Sequence, residues 1–266
     1  MKTKVFIVPY DFTEASEKAL SQAIEISKAD AAKVIVLHIV AKDSEIEDAK
    51  SRINFIISEL NSSLDIIGEV IKGSIFNSIG EIAEKNKASA IIMGTHGAKG
   101  MQKVFGSFAM KVIISTGIPF MVLQKETPIK QYNNICLSID ASAESIQIIK
   151  IAADLAKTYN AKIFIIAEKE KDSIKARKIK NNLVILSNKM QKLGIDYNLE
   201  LIESDGEWID TVINFANTKG MDMFAYSYDS DRLMASKDKF SQALLFNPYY
   251  IPALIINAKK ISSTYF

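Results

Sequence analysis

Short apolar runs alternate along this chain with segments whose apolar residues recur every three or four positions, the respective signatures of buried strands and amphipathic helices. VFIVP (5–9) reads as a buried strand, followed by Asp11 and by Thr13 as a helix N-cap with Glu14 in the first turn. Ala19, Leu20, Ala23, Ile24 and Ser27 then mark one face of a helix. KVIVLHIV (33–40), rich in β-branched residues, predicts the next strand. A second helix is expected over 44–64, a strand at EVIKG (69–73), and a third helix over 75–86 through Ile75, Ile79, Ile82 and Ala83. SAIIMG (89–94) predicts a strand that runs into a glycine-rich stretch. A helix over Ser107 to Ser115 and a strand at IPFMVLQ (118–124) complete this half. Strands alternating with helices imply βαβ crossovers and a mostly parallel sheet covered on both faces.

The pattern occurs twice. Asp11 plus 129 is Asp140, and the same shift carries Thr13 to Ser142, Leu20 to Ile149 and AAKVIVLHI (31–39) onto NAKIFIIAE (160–168). Later the offset is 133, where IPFMVLQ (118–124) falls on IPALIIN (251–257). A period of about 130 residues means a duplicated domain and not a short solenoid repeat. The expected domains are 1–127 and 132–266, joined through the polar stretch KETPIKQYNN (125–134). Two copies of one fold can pair about a pseudo-twofold axis, much as the subunits of a homodimer do.

Composition narrows the function classes. Of 266 residues, 48% are hydrophobic and 24% charged, which is enough apolar material for two cores. A net charge of +2 gives no electrostatic case for nucleic acid. The single cysteine, Cys136, excludes an intramolecular disulfide framework and fits a reducing compartment, as a buried thiol in the strand NICLSI. No apolar run approaches the ~18 residues of a membrane span. Pro9 and Asp11 interrupt the apolar start too soon for a signal peptide. The expectation is a soluble cytoplasmic protein with no membrane or nucleic-acid partner.

GTHGAKGMQKVFGS (94–107) contains four of the chain's 11 glycines. In a doubly wound sheet, ligands bind outside the carboxyl ends of the strands where the strand order reverses, and this stretch follows such an end. Glycines there permit positive φ and a close backbone approach, so that several N–H groups can converge on an anion. The next helix N-terminus adds partial positive charge, with Ser107 as its N-cap and as a hydroxyl donor. Lys99 and Lys103 add local charge. The stretch therefore reads as a phosphate cradle; the plainer alternative is a tight turn without a ligand. It is neither the P-loop spacing nor G-x-G-x-x-G.

The pattern resembles that of the universal stress protein family, whose ATP-binding members carry G-x-x-G, nine residues, then G-[ST]. Gly94-Thr95-His96-Gly97 matches the first half and Gly106-Ser107 the second, with eight residues between Gly97 and Gly106. VPYDFTEAS (8–16) also resembles the family's first βα turn, in which an Asp follows a Pro. The resemblance covers both halves at fold level and is motif-specific in the first. It implies two tandem flavodoxin-like α/β domains, each with a five-stranded parallel sheet of order 3-2-1-4-5. It also implies that Pro9, Tyr10, Asp11 and Ile39 line the adenine and ribose side, and that Met93, Gly94 and Gly97 approach the ribose and phosphates. Gly106, Ser107 and the Phe108 amide would hold the terminal phosphates, bridged by Mg²⁺. The ligand would be ATP, ADP or AMP.

The second copy lacks the cradle. Its equivalent stretch, AYSYDSDRLMASKDKFSQ (225–242), has no glycine, and Asp229 and Asp231 would repel phosphate. The expectation is one nucleotide site, with the second domain kept for its fold and interface, or else binding a nucleoside or a cation. His38 reads as a strand residue and His96 as a loop residue; with Cys136 they make no zinc set. KEKDSIKARKIKNN (169–182) reads as a solvated helix face, and FNPYYIP (246–252) as packing. Function then divides three ways: a stress-response regulator that binds nucleotide and acts on a protein partner, a slow Mg²⁺-dependent ATP hydrolase, or an interaction module that holds no nucleotide.

Overall fold

The computed structural model describes residues 3–60, 62–95, 105–229 and 238–260, with Asp30 and 105–108 described through the backbone alone. The chain divides into two units, Met1–Lys130 and Gln131–Phe266.

The first unit runs β1 (Val5–Pro9), α1 (Glu14–Asp30), β2 (Lys33–Val40), a 3₁₀ turn over Asp43–Glu45, α2 (Ile46–Glu59) and β3 (Ile66–Lys72). It continues with α3 (Ile75–Lys85), β4 (Ala90–Thr95), α4 (Phe105–Ile113) and β5 (Phe120–Gln124). Its parallel strands lie in the order β3-β2-β1-β4-β5, a doubly wound sheet. Ile7, Val8, Val34, Val36, Ile91 and Ile92 on the central strands are fully buried. Burying each such aliphatic side chain favours folding by about 1.5–3 kcal/mol. The strand β3 starts at Ile66, three residues ahead of the expected EVIKG, and much of it is exposed, as befits a sheet edge.

The second unit repeats the order with β6 (Asn134–Ile139), α5 (Ile149–Tyr159), β7 (Lys162–Glu168), α6 (Ser173–Leu193) and β8 (Tyr197–Ile202). Then come α7 (Trp208–Thr218), β9 (Met223–Tyr228), α8 (Lys239–Leu245) and β10 (Ala253–Asn257). Its parallel strands lie in the order β8-β7-β6-β9-β10. The strand registers locate the drift of the repeat. Val5 pairs with Lys33 and Asn134 with Lys162, both partners shifted by 129. Ile66, beside Val34, corresponds to Tyr197, beside Ile163, a shift of 131. Ile91 and Phe120 correspond to Phe224 and Ala253, a shift of 133. Two residues enter where the 14-residue α2 is matched by the 21-residue α6. Two more enter between β8 and α7.

Thr13 caps α1 through a capping box: its hydroxyl accepts from the Ser16 N–H at 3.4 Å, and the Ser16 hydroxyl accepts from the Thr13 N–H at 3.1 Å. Gly94 lets this helix start close against β4. A Cβ built there would lie 1.9 Å from the Ala15 carbonyl oxygen and 2.3 Å from its carbon. In the second unit the equivalent residue (94 plus 133) is Ser227, and the equivalent helix is broken. A 3₁₀ turn over Glu144–Ile146 precedes α5, which begins only at Ile149. A side chain at this place cannot coexist with the path of α1, so the turn moves. The Ile148 N–H, one of the donors a helix start leaves without an internal partner, bonds to the Ser227 hydroxyl at 3.1 Å.

Candidate functional site

In the first unit the sheet order reverses between β1 and β4. A cavity of about 210 Å³ opens there at the carboxyl ends of the strands. Pro9 at the end of β1 and Tyr10 and Asp11 just after it line it with Leu37, His38 and Ile39 of β2, and with Met93, Gly94 and Thr95 of β4. Ile75 and Ile79 of α3, Ala109 and Val112 of α4, and Ser16 of α1 close it. Six of the ten residues expected from sequence, Pro9, Tyr10, Asp11, Ile39, Met93 and Gly94, share this one cavity. Gly97 lies outside the described residues, as do His96, Lys99 and Lys103.

Gly106, Ser107 and Phe108 fall in the first turn of α4, which begins at Phe105. Ser107 is therefore within the helix and not its N-cap, because the apolar run that builds the helix starts two residues earlier than expected. Gly94 also differs from expectation. The positive-φ glycines among the described residues are Gly194 and Gly220. Gly94 sits in regular strand conformation, and what demands glycine there is the Ala15 carbonyl.

The polar rim is ordered from within. Asp11 Oδ1 accepts from the Thr13 N–H at 3.2 Å and from the Thr13 hydroxyl at 2.6 Å. No hydrogen-bond partner for its other oxygen, Oδ2, is found among the described residues. His38 Nδ1 lies 2.7 Å from the Tyr10 carbonyl oxygen. A carbonyl only accepts, so Nδ1 carries the hydrogen. Burial, then the charges of Glu17 and Asp11, hold the Tyr10 phenol above its ordinary value.

Phe12, between Asp11 and Thr13, takes φ 63°, an unusual backbone for a bulky residue. Its ring lies 4.7 Å from that of His38 and 5.5 Å from that of Tyr10, and the Arg52 guanidinium carbon stands 3.8 Å from its centroid. Among the described residues no group of three or more His, Cys, Asp or Glu side chains could hold a metal ion.

The sequence over residues 2–124 matches the model of the universal stress protein family. A universal stress protein of Methanocaldococcus jannaschii is 30% identical over 142 residues, which cover 46% of this chain and 82% of that protein. The chain belongs to the universal stress protein family. A solved universal stress protein from Archaeoglobus fulgidus superposes with a TM-score of 0.74 at 16% identity, covering 97% of this chain and 100% of that one. A functionally unknown protein from Pseudomonas aeruginosa gives 0.67 at 11% identity, over 99% and 95%. At these identities the two structures speak for the fold. Among the described residues of this universal stress protein, no helix is long and apolar enough to cross a membrane.

The second unit of this universal stress protein has a crevice at the same place, of about 300 Å³. Asp140 keeps the turn of Asp11: it accepts from the Ser142 N–H at 2.7 Å and from the Ser142 hydroxyl. The lining has changed around it. Trp208 stands for Ile75, Tyr226 for Met93 and Ser227 for Gly94. Residues 230–237, which hold Asp231 and the middle of the glycine-free stretch, lie outside the described residues. Cys136 is fully buried, and burial pushes its thiol far above the ordinary range, as befits an inert core thiol. The charged run 169–182 leads into α6, with Asp172 accepting from the Ile174 and Lys175 N–H groups at 2.9 Å each. Tyr249 and Tyr250 of the expected packing cluster are exposed, because Asn247 turns the chain there through bonds to Leu244 and Ile251.

Sequence reasoning missed Ser16, Leu37, His38 and Thr95 as site residues. It also missed the apolar wall of Ile75, Ile79, Ala109 and Val112. Ile75 and Ile79 carried a signal, being four apart at the start of a helix that follows a strand end.

Proposed function

We propose that this chain is a stress-response regulator whose first unit binds ATP, or the related ADP or AMP. The observation that carries this reading is the cavity at the reversal of strand order. It joins an apolar slot to the Asp11 carboxylate and is lined by Gly94 and Thr95, where the glycine-rich sequence begins. Ile39, Ile75, Ile79, Met93 and Val112 suit the faces of a purine base. Asp11 Oδ2, with no described partner, suits a ribose hydroxyl, and Thr13 keeps the carboxylate oriented. A cavity of about 210 Å³ suits a base and sugar, with the phosphates directed to the backbone of the glycine stretch and the start of α4. With no cluster of ligating side chains among the described residues, Mg²⁺ would be carried by the phosphate oxygens. Occupancy then favours whichever conformation binds nucleotide more tightly, and a protein partner reads that conformation.

Calorimetry of the whole chain with ATP and Mg²⁺, beside a Gly97→Val, Gly106→Val variant, tests this. The expected result is one site per chain with a micromolar dissociation constant, about 8 kcal/mol, lost in the variant. Absence of heat with ATP, ADP and AMP alike would leave an interaction module of the same fold.

A further inference from the structure

The two units differ in charge at the helix that follows their second strand. In the first, α2 spans 14 residues and sets Lys50 and Arg52 against Glu47, Asp48 and Glu59. In the second, α6 spans 21 residues and carries Lys175, Arg177, Lys178, Lys180, Lys189 and Lys192 with no Asp or Glu. Lys175 pairs with Glu170 at 3.6 Å, Asp172 is taken up in the cap, and Asp196, just past the helix, pairs with Lys162 at 3.4 Å. The other five cations are exposed and have no ion pair among the described residues. Lys175 and Lys178, Arg177 and Lys180, and Lys189 and Lys192 each stand three apart, where like charges repel on a helix. The fold does not ask for this, since α2 holds the same place without it.

Apolar side chains share that exposed surface. Ile179, Leu183, Leu186 and Met190 bury the inner side of α6, yet Ile174, Val184 and Ile185 are 59%, 52% and 49% exposed. Ile174, Lys178, Ile185, Lys189 and Lys192 follow one another at steps of four, seven, four and three, which places them on one stripe. The edge strand β8 continues the apolar surface. The Tyr197 hydroxyl meets the Ser187 hydroxyl of α6 at 2.6 Å, and the period of two puts the exposed Leu199 and Leu201 on the same side of the sheet.

We propose that the outer face of α6 docks the chain on the surface of an anionic lipid bilayer, with Lys178, Lys189 and Lys192 among the headgroup phosphates and Ile174 and Ile185 inserted between them. The charge is spread along about 30 Å of helix, and no residue of α6 lines either crevice, so nothing there holds one phosphate or one peptide side chain in a fixed place. A diffuse anionic plane suits such a surface. Nucleic acid suits it less: five of the six cations are Lys and not the forked Arg, α6 has no aromatic side chain to stack on a base, and half-exposed isoleucines find no partner along a phosphate backbone. The helix is not long and apolar enough to cross the bilayer and would lie on it. The surface is independent of the nucleotide reading of the first unit.

Co-sedimentation of the whole chain with vesicles tests this, using phosphatidylcholine alone and an equal mixture with phosphatidylglycerol. The chain should sediment with the mixed vesicles, stay in solution with phosphatidylcholine, and be largely released as salt rises from about 0.1 M to about 0.5 M. Replacing Lys178, Lys189 and Lys192 together by Gln should weaken binding by roughly a hundredfold, at roughly fivefold per charge, without lowering the thermal midpoint. Replacing Lys42, Lys85 and Lys219 by Gln lowers the net charge equally and should leave binding close to the parent's. Ile174→Ser with Ile185→Ser should weaken binding by roughly tenfold and keep its salt dependence. No sedimentation with the mixed vesicles, equal sedimentation with both kinds, equal losses in the two lysine triples, or an isoleucine variant that binds as the parent would each overturn the proposal. So would tighter binding to a DNA duplex or to polyglutamate than to the mixed vesicles, which would make the face a nucleic-acid or a protein surface.

Discussion

Gly94→Ala adds one methyl group at the point where α1 meets β4. The new carbon would lie 1.9 Å from the Ala15 carbonyl oxygen and 2.3 Å from its carbon, where ordinary contact begins at 3.4 Å. The first turn of α1 must therefore retreat by 3.4 minus 1.9, or 1.5 Å, which is the rise of a whole helical residue. Backbone stands on both sides of the clash, so no rotamer relieves it. Overpacking of this kind costs about 1–3 kcal/mol, and loosening the Thr13–Ser16 capping box adds about 1 kcal/mol. A total of about 3 kcal/mol in a unit of this size lowers its melting temperature by about 10 °C. Thermal unfolding of the whole chain followed by far-ultraviolet circular dichroism would show the shift. Trp208 fluorescence, which reports the second unit, should move far less. Gly206→Ala, where an added Cβ meets nothing within 4 Å, is the control and should melt like the parent. A Gly94→Ala chain melting within about 2 °C of the parent would refute the packing argument and return Gly94 to a role in loop conformation.

Other predictions follow from the same geometry. Thr13→Ala removes both the cap of α1 and the hydroxyl that holds Asp11, so urea unfolding should show a loss of about 1 kcal/mol, and ATP affinity should fall in calorimetry. Alkaline titration should unfold the second unit first. Burial raises the Tyr132 phenol well above its ordinary value, Tyr159 and Asp222 adding to the effect, and burial also raises the Tyr226 phenol and the Cys136 thiol. The unfolded chain releases these protons at lower pH than the folded one, so stability present below the unfolded values of 9.0 and 10.0 falls as pH rises through and beyond them. Trp208 fluorescence against pH should show that transition, and Tyr132→Phe should move its onset upward. Ser227→Gly removes the acceptor of the Ile148 N–H, and hydrogen exchange at Ile148 should accelerate.

Periodicity alone made two of the inner strands of the first unit legible. VFIVP and KVIVLHIV form β1 and β2 over the expected residues, because strands covered on both faces are continuously apolar. The edge strand β3 was read three residues short, since an exposed edge need not carry that pattern. The duplication and the mostly parallel sheet followed from the repeated alternation of elements, whereas the strand order came from the family resemblance. The apolar wall of the cavity was missed because Ile75, Ala109 and Val112 belong to helices whose approach to the strand ends is fixed by packing.

The sequence by itself determined which elements form, that they form twice, and that Asp11 follows the first strand, since each of these depends on residues adjacent in the chain. Tertiary structure decided why Gly94 is glycine: the atom that excludes a side chain there is the carbonyl of Ala15, on a helix 79 residues earlier (94 minus 15). It also decided that Ser227, at the same place in the second unit, meets the broken start of α5 and takes up one of its free N–H groups. Which atoms a buried group meets is set by elements distant in sequence, and only the packed sheet brings them together.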